Sequence, residues 1–201
     1  MGRLSIIRDE TVFAAVGAQL AGKGAVTLQS IVAETGISIG SLYHRYGSRE
    51  ELLARAWLDA VAAFQARFLA ALGSGEEQAG LNAALATPQF CREERARAVI
   101  LCCCRQADFV TSATSADLLE DLRTVNAAAG DALKVFSGQT GHSLMACRMG
   151  MIAFPLGAVR LFLPEQAVPA EVDRYIEAGF RAAMGVGRSG DPSWRAMPET
   201  G

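Results

Sequence analysis

Apolar positions along this chain of 201 residues repeat at helical spacing almost from end to end. The stripes have the period of 3.6 residues that places apolar side chains on one face of a helix. No segment sustains a period of two, so no strands are expected. The pattern therefore predicts an all-α fold of about nine helices, with a three-helix N-terminal domain followed by a C-terminal helical bundle.

Glycine and proline mark where the predicted helices end. The second helix should end before Gly36, and the remaining predicted helices cover residues 9–21, 39–46, 48–72, 77–86, 91–110, 116–136, 143–163 and 169–185. The helix over 77–86 is expected to stop before Pro88. Residues 188–201 are rich in glycine and proline, so we expect a flexible tail there.

Residues 27–46 predict a helix-turn-helix. Gly36 can take the left-handed backbone conformation that ends a helix, and the Ser38 side chain can cap the next one. Ser48 and Glu51 have the spacing of a capping box, which would start the following helix. Two short helices joined by a tight glycine turn can place the second helix in the major groove of DNA.

This segment resembles the N-terminal DNA-binding domain of TetR-family transcriptional regulators. The family pattern of Leu-Tyr-x-x-Phe/Tyr followed by Ser-Lys/Arg-Glu-x-Leu is present as Leu42-Tyr43-His44-Arg45-Tyr46 and Ser48-Arg49-Glu50-Glu51-Leu52. Arg49 stands where lysine is usual, and Tyr46 stands where phenylalanine is common. The match covers about the first 55 to 60 residues, while the rest matches only as a pattern of amphipathic helices. The resemblance implies a DNA-binding domain over 1–55 and a helical effector-binding and dimerisation domain over 56–187.

The second helix of the motif has a low outer surface suited to a close partner. Gly40 lies inside this helix, where glycine costs about 1 kcal/mol relative to alanine, and a need for close approach would explain it. Together with the resemblance, this predicts two classes of DNA contact. Phosphate contacts are expected from Thr27, Ser41, Tyr43, Tyr46 and Arg49. Contacts to bases in the groove are expected from Ser38, Ile39, Gly40 and His44, and Arg45 fits either class.

The last two predicted helices carry apolar seams with alternating spacings of four and three residues, as in near-parallel helix pairs. The seam of the penultimate helix is Met145, Met149, Ile152, Leu156, Val159 and Leu163. The seam of the last helix is Val172, Ile176, Gly179, Ala183 and Val186. We expect these helices to form a four-helix interface in a homodimer, and the family resemblance agrees.

The resemblance also implies an effector cavity between the helices of the second domain. The candidate lining residues are Phe64, Phe68, Phe90, Cys103, Phe109, Met149 and Phe154, although each such residue is more often ordinary core. The five cysteines are odd in number, which suits a reducing cytoplasm better than a disulfide framework. Residues 102–104 are consecutive cysteines, which point about 100° apart on a helix and cannot share a face. Packing is the favoured role for these thiols, and redox sensing stays open.

Composition limits the other functional classes. With 51% hydrophobic and 20% charged residues the chain is globular, and its net charge of −2 means that the DNA prediction depends on the motif. The two histidines lie far apart without a ligand cluster, and no catalytic arrangement is visible, so no metal, cofactor or enzymatic activity is expected. The apolar window 144–163 contains Arg148 and Arg160, which argues against a membrane span. With no secretory signal visible, the cytoplasm is the expected location.

The sequence therefore predicts a transcriptional regulator, and we favour a repressor that binds a palindromic operator as a homodimer and is released by a small-molecule effector. Two alternatives stay open. One is a thiol-based redox-sensing regulator on the same scaffold. The other is a helical ligand-binding protein or enzyme whose DNA domain is vestigial.

Overall fold

The structure is a computed structural model that describes residues 8–75 and 78–186. These residues contain no strand, so the predicted all-α class is confirmed. The predicted flexible tail at 188–201 lies outside them. The helices are α1 (Asp9–Lys23), α2 (Leu28–Thr35), α3 (Ile39–Tyr46), α4 (Arg49–Leu72), α5 (Ala79–Glu93), α6 (Arg95–Cys103), α7 (Ala116–Thr140), α8 (144–159) and α9 (Val172–Val186).

Side-chain caps set the starts of α2, α3 and α4. Thr27, Ser38 and Ser48 each accept a hydrogen bond from the backbone N–H three residues later, at 3.2, 3.1 and 3.0 Å. Gly36 ends α2 in the left-handed conformation, with φ of 71°. The predicted helix-turn-helix and its caps at Ser38 and Ser48 are confirmed. The predicted capping box is only half formed, because the Glu51 carboxylate accepts hydrogen bonds from Ser115 and Arg55 and the Ser48 N–H donates to the Tyr46 carbonyl oxygen. These starts were predictable because each cap lies within three residues of the N–H that it satisfies.

Helix α5 runs through Pro88, and the predicted end before that residue is wrong. A proline inside a helix removes one backbone hydrogen bond and costs about 3 kcal/mol. Burial of apolar neighbours such as Ala84 and Phe90, both fully buried, offsets this cost. Tertiary packing therefore overrides the local signal of the proline.

The predicted single helix over 91–110 is two helices. The chain leaves helical geometry at Glu94, where φ is −121° and ψ is 48°. Arg95 then donates to the carbonyl oxygens of Gln166 and Pro164 at 2.8 and 2.5 Å, which anchors the start of α6 to the loop before α9. The break lets α6 pack across α1 and α4.

Helix α8 contains a π-helical segment. Leu144–Arg148 and Phe154–Val159 are α-helical, and Met149–Ala153 between them is π-helical. A π turn holds an extra residue relative to an α turn, so the faces of α8 shift by about one position after the segment. This shift decides which residues of α8 face outward.

The buried apolar residues form two clusters. One lies among α4, α5, α8 and α9 and includes Phe68, Phe90 and Met151. The other joins α1–α4 to Ile100 of α6, to Phe109 between α6 and α7, and to Leu122 of α7. The predicted domain boundary after residue 55 falls inside α4, and the second cluster crosses it.

Helices α1 and α6 cross at very short distance. A Cβ atom on Gly17 of α1 would lie 2.4 Å from the backbone oxygen of Ala96 in α6. Only glycine fits at this crossing, which joins the N-terminal helices to the C-terminal bundle. None of the described helices is long and apolar enough to cross a membrane.

Candidate nucleic-acid interface

Helix α3 directs one face inward and leaves the opposite face open to solvent. Leu42 and Tyr46 are buried against the N-terminal core, since the spacing of four residues places them on one side of the helix. The exposed residues are Ser38 at the cap, Ile39, Gly40, Tyr43, His44 and Arg45. Gly40 makes this face low, because glycine has no side chain. The space around it is open, since an added Cβ would lie 4.0 Å from its nearest neighbour. The geometry suits entry of α3 into a groove.

Arg45 and Tyr46 both bond to Asp9 at the start of α1. The Arg45 guanidinium donates from Nε and Nη2 to the two carboxylate oxygens at 2.7 Å each, and the Tyr46 hydroxyl donates at 2.5 Å. The Arg45 hydrogen bond, with smaller help from Tyr46, lowers the pKa of the Asp9 carboxyl below its ordinary value. Burial and the bonded carboxylate raise the pKa of Tyr46. This cluster fixes the angle between α3 and α1.

The burial of Tyr46 argues against its predicted phosphate contact. Only 4% of the residue is exposed, and its hydroxyl is already satisfied by Asp9. Its role is to hold α3 on the core. Asp9 was not singled out from the sequence, because nothing local relates it to a partner 36 residues away.

Arg49 connects the start of α4 to the loop before α2. Its guanidinium donates to the carbonyl oxygen of Val26 at 2.9 and 3.3 Å, while about two-fifths of the side chain stays exposed. Thr27, next to Val26, is exposed and caps α2. Ser41 lies half-buried with its hydroxyl 2.9 Å from that of Ser38. The structure thus brings Arg49, at the start of α4, close to Thr27, which follows the residue that Arg49 contacts.

Two comparisons identify this domain. The family model described as bacterial regulatory proteins of the tetR family matches residues 18–56, which cover the helix-turn-helix and the start of α4. The N-terminal domain belongs to the TetR family. The TetR-family domain makes the chain a DNA-binding transcription regulator, as its sequence predicted.

A solved structure shares the fold over most of the chain. It is the crystal structure of a protein assigned to the tetR family of transcription regulators from Shewanella sp. PV-4. The match covers 91% of this chain and 100% of that one, with a TM-score of 0.64 and 14% sequence identity. At this identity the likeness concerns the fold alone. No curated protein sequence matches the chain.

The C-terminal bundle forms a partly open cavity of about 260 Å³ among α4, α5, α6, α7 and α8. Of the predicted lining residues, Phe64, Phe68 and Phe90 line it. The others lie elsewhere: Cys103 and Phe109 border a separate hollow near Arg49, and Met149 and Phe154 border an open groove between α8 and α9. The sequence could not separate these groups, because aromatic stripes of core and cavity have the same helical period.

Several cavity residues were not among the predicted ones. Trp57 and Gln65 of α4, Cys102 of α6 and Asn126 of α7 all border the space. Ile152 and Leu156, predicted for the dimer seam, also border it. Trp57, Val61, Phe64 and Phe68 follow each other at helical spacing along one side of α4, which is a pattern that a core-facing helix shows equally.

The predicted dimer seams are only partly exposed. Val159, Leu163, Val172 and Ile176 are buried in the protein's own core and cannot meet a partner, and Gly179 and Ala183 are half-buried. On α8 the π-helical segment explains the difference. Met145, Met149 and Ile152 before or within it are exposed, and after it exposure moves to Gly157 and Leu161.

Cys102 lies against a cysteine of another helix. Its sulfur is 3.9 Å from that of Cys91 in α5, and both residues are buried. Cys103 is exposed and Cys104 is intermediate, so the three consecutive thiols face different surroundings, as their helical spacing predicted. Burial raises the pKa of Cys103 and of Cys104 to about 11. Within residues 8–75 and 78–186, no group of three or more His, Cys, Asp or Glu could hold a metal ion.

Proposed function

We propose that this protein is a homodimeric repressor that binds a palindromic operator and leaves it when a small effector fills the C-terminal cavity. The observation that carries the proposal is the exposed, low face of α3 on a TetR-family domain. No enzymatic step is part of the proposed activity.

The proposed DNA contacts fall into two classes. Ile39, Gly40 and His44 lie on the open face of α3, from which side chains and backbone can approach base edges in the major groove. Ser38, at the N-terminal cap, lies at the leading end of the same face. Phosphate contacts are assigned to Thr27, Ser41, Tyr43 and Arg49, which flank that face. Arg45 is bound to Asp9, so its proposed role is to orient α3 rather than to read bases.

The proposed dimer interface is an exposed apolar face formed by α8, the turn at residues 160–165 that follows it, and α9. Met145, Leu161 and Tyr175 are 66%, 82% and 63% exposed, which is unusual for large apolar side chains of a monomer. Small exposed residues on the same two helices, including Gly157 of α8 and Ala178 of α9, would allow a second pair of helices to approach closely. A second copy of the chain is the occupant we propose. Dimerisation would hold two copies of α3 about 34 Å apart, or a multiple of this, so that each reaches one half-site.

The proposed coupling runs from the cavity to α3 through two helices. Helix α4 lines the cavity and continues into the N-terminal core, where Trp57 packs against Phe109 with ring centroids 5.2 Å apart. Helix α6 also lines the cavity and meets α1 at Gly17. An effector that favours another arrangement of these helices would change the distance between the two α3 helices and shift the population off the operator.

Selection from random double-stranded DNA tests the DNA-binding part. The wild-type protein should enrich an inverted repeat, and His44→Ala should lose the preference at one position in each half-site. Arg49→Ala should instead weaken binding to all sequences and reduce the salt slope by about one unit. Arg123→Ala, which removes an exposed arginine on α7, is the matched control and should change neither property. Failure of the wild-type protein to enrich any repeat would refute the proposal.

A thiol-based regulator is the second candidate, because two buried thiols lie 3.9 Å apart beside the cavity. The thiolate is the reactive form of cysteine. The hydrogen bond to Cys91 and burial raise the pKa of Cys102, which keeps it protonated at neutral pH. This favours the effector mechanism over thiol oxidation.

A further inference from the structure

The C-terminal cavity has a chemistry that defines its occupant. We propose that it binds an uncharged compound of one aromatic ring, with a hydrogen-bond acceptor at one end and a donor at the other. This inference deepens the proposed function, since it specifies the class of effector.

The walls and size of the cavity set the apolar body of the compound. Phe64, Phe68 and Phe90 form an aromatic wall, with the Phe64 and Phe90 rings edge-on at 5.5 Å between centroids. An engineered apolar cavity of about 150 Å³ holds benzene. A volume of about 260 Å³ therefore suits a ring with small substituents, on the order of ten non-hydrogen atoms.

Two residues that line the cavity each have a buried polar atom without a partner in the described part of the chain. The Nε1–H of Trp57 and the Oε1 of Gln65 are both buried and make no hydrogen bond with any described residue. Trp57 is only 6% exposed, so its N–H cannot turn to bulk solvent. A buried donor or acceptor left unsatisfied costs about 1–3 kcal/mol, which a ligand with matching groups would recover.

Gln65 has one neighbour that bonds its side-chain amide. Its Nε2 donates to Asn126 Oδ1 of α7 at 3.2 Å, which leaves Oε1 as an acceptor. A ligand hydroxyl or N–H can donate to this oxygen, and a carbonyl or ether oxygen can accept from Trp57. The two residues are eight positions apart on α4, which is about 12 Å along the helix axis. The two polar groups of the ligand should therefore lie at opposite ends of its ring.

The absence of charge along the wall excludes ionised ligands. No Asp, Glu, Lys, Arg or His side chain borders the cavity within residues 8–75 and 78–186. A carboxylate or ammonium in this space would be buried without a counter-charge, at a cost of several kcal/mol. An uncharged compound avoids this cost.

The test uses four probes of similar size, measured by calorimetry on the full chain. The compound 4-hydroxyacetophenone has a carbonyl acceptor opposite a hydroxyl donor and should bind best. The compounds 4-methylacetophenone and 4-ethylphenol each lack one of these groups, and each should bind about fivefold to tenfold more weakly. The 4-hydroxybenzoate ion matches the first probe in size but is charged at neutral pH, so it should not bind.

Two substitutions assign the contacts. Trp57→Phe removes the N–H but keeps an aromatic ring, and it should weaken both ketones about fivefold to tenfold while leaving 4-ethylphenol unchanged. Gln65→Leu should weaken both phenols by a similar factor and leave 4-methylacetophenone unchanged. Gln139→Leu, at an exposed site on α7, is the matched control and should change no affinity. Thermal unfolding of each variant establishes that it is folded before binding is measured.

Tryptophan fluorescence distinguishes a hydrogen bond from the ligand to Trp57 from a purely structural role of Trp57, which would leave the emission wavelength unchanged. The sequence has two tryptophans, Trp57 and Trp194, so Trp194→Phe leaves Trp57 as the only emitter. A carbonyl bonded to its N–H should shift the emission to longer wavelength, and 4-ethylphenol should not.

The outcomes separate the inference from the proposed function. If 4-hydroxybenzoate binds as tightly as the uncharged probes, or if no uncharged probe binds, the inference is wrong, whatever the DNA selection shows. If Trp57→Phe and Gln65→Leu weaken all probes equally, the assigned contacts are wrong. If the probes follow the expected pattern but operator affinity does not change, the inference stands and effector release is refuted.

Discussion

The crossing of α1 and α6 leads to a prediction that compares two glycines of one helix. Adding a methyl group at Gly17 places it 2.4 Å from the Ala96 carbonyl oxygen, about 1 Å short of ordinary contact. Backbone atoms cannot rotate away, so α1 must separate from α6. Overpacking of this kind costs about 1–3 kcal/mol, and exchange of glycine for alanine within a helix returns about 0.5–1 kcal/mol. Gly17→Ala should therefore be destabilised by about 1 kcal/mol.

Gly22→Ala is the matched control on the same helix. An added Cβ at Gly22 would meet nothing within 4 Å, so only the helix preference for alanine remains. We expect this variant to gain up to about 1 kcal/mol. The two variants should then differ by roughly 2 kcal/mol, or several degrees in Tm for a chain of this size. Urea unfolding followed by far-UV circular dichroism measures both free energies.

Operator binding gives the second readout of the Gly17→Ala variant. A forced separation of α1 from α6 tilts α3 relative to the bundle, although no DNA-facing residue is changed. Operator affinity should fall by at least about fivefold, while affinity for unrelated DNA stays the same. Equal stabilities of Gly17→Ala and Gly22→Ala would refute the close crossing. Unequal stabilities with unchanged operator affinity would refute its role in coupling.

Three further predictions concern the dimer, the acid range and the thiols. Leu161→Glu should yield a monomer in sedimentation, whereas Val135→Glu, at an exposed apolar site on α7, should remain a dimer. A dimeric Leu161→Glu variant would refute the proposed dimer interface. Because the pKa of Asp9 is lowered in the folded state, its stabilisation exists above its ordinary pKa of 3.8 and is lost as pH falls below about 4. Acid titration of unfolding should show a smaller loss of stability for Asp9→Asn than for wild type, and equal losses would contradict the salt link. Peroxide should leave operator binding unchanged in wild type and in Cys102→Ala; release of wild type alone would favour a disulfide with Cys91.

The helix-turn-helix was predictable because its signals are local. The caps at Ser38 and Ser48 satisfy backbone groups three residues away, and Gly36 needs only its own backbone freedom. The same holds for the helical class, since each amphipathic stripe is a property of one segment.

What the sequence did not reveal depends on contacts between distant segments. The link from Asp9 to Tyr46 spans 37 positions, and the passage of α5 through Pro88 depends on the packing around it. The outward face of α8 differs from the predicted one because the π-helical segment breaks the α-helical period after Met149. Several cavity residues were not predicted for another reason: a side chain beside an empty space has the same sequence pattern as a side chain in the core.

The apolar cluster that joins α1–α4 to Ile100, Phe109 and Leu122 limits how this protein can be recombined with its relatives. A fragment cut within α4 would expose apolar surface that the remaining bundle normally covers. A chimera that joins this DNA-reading segment to a foreign sensor would need those three supporting residues, or equivalents of their volume, on the new partner. The smallest transplantable module is therefore discontinuous: it consists of the N-terminal helices together with three positions beyond the end of α4.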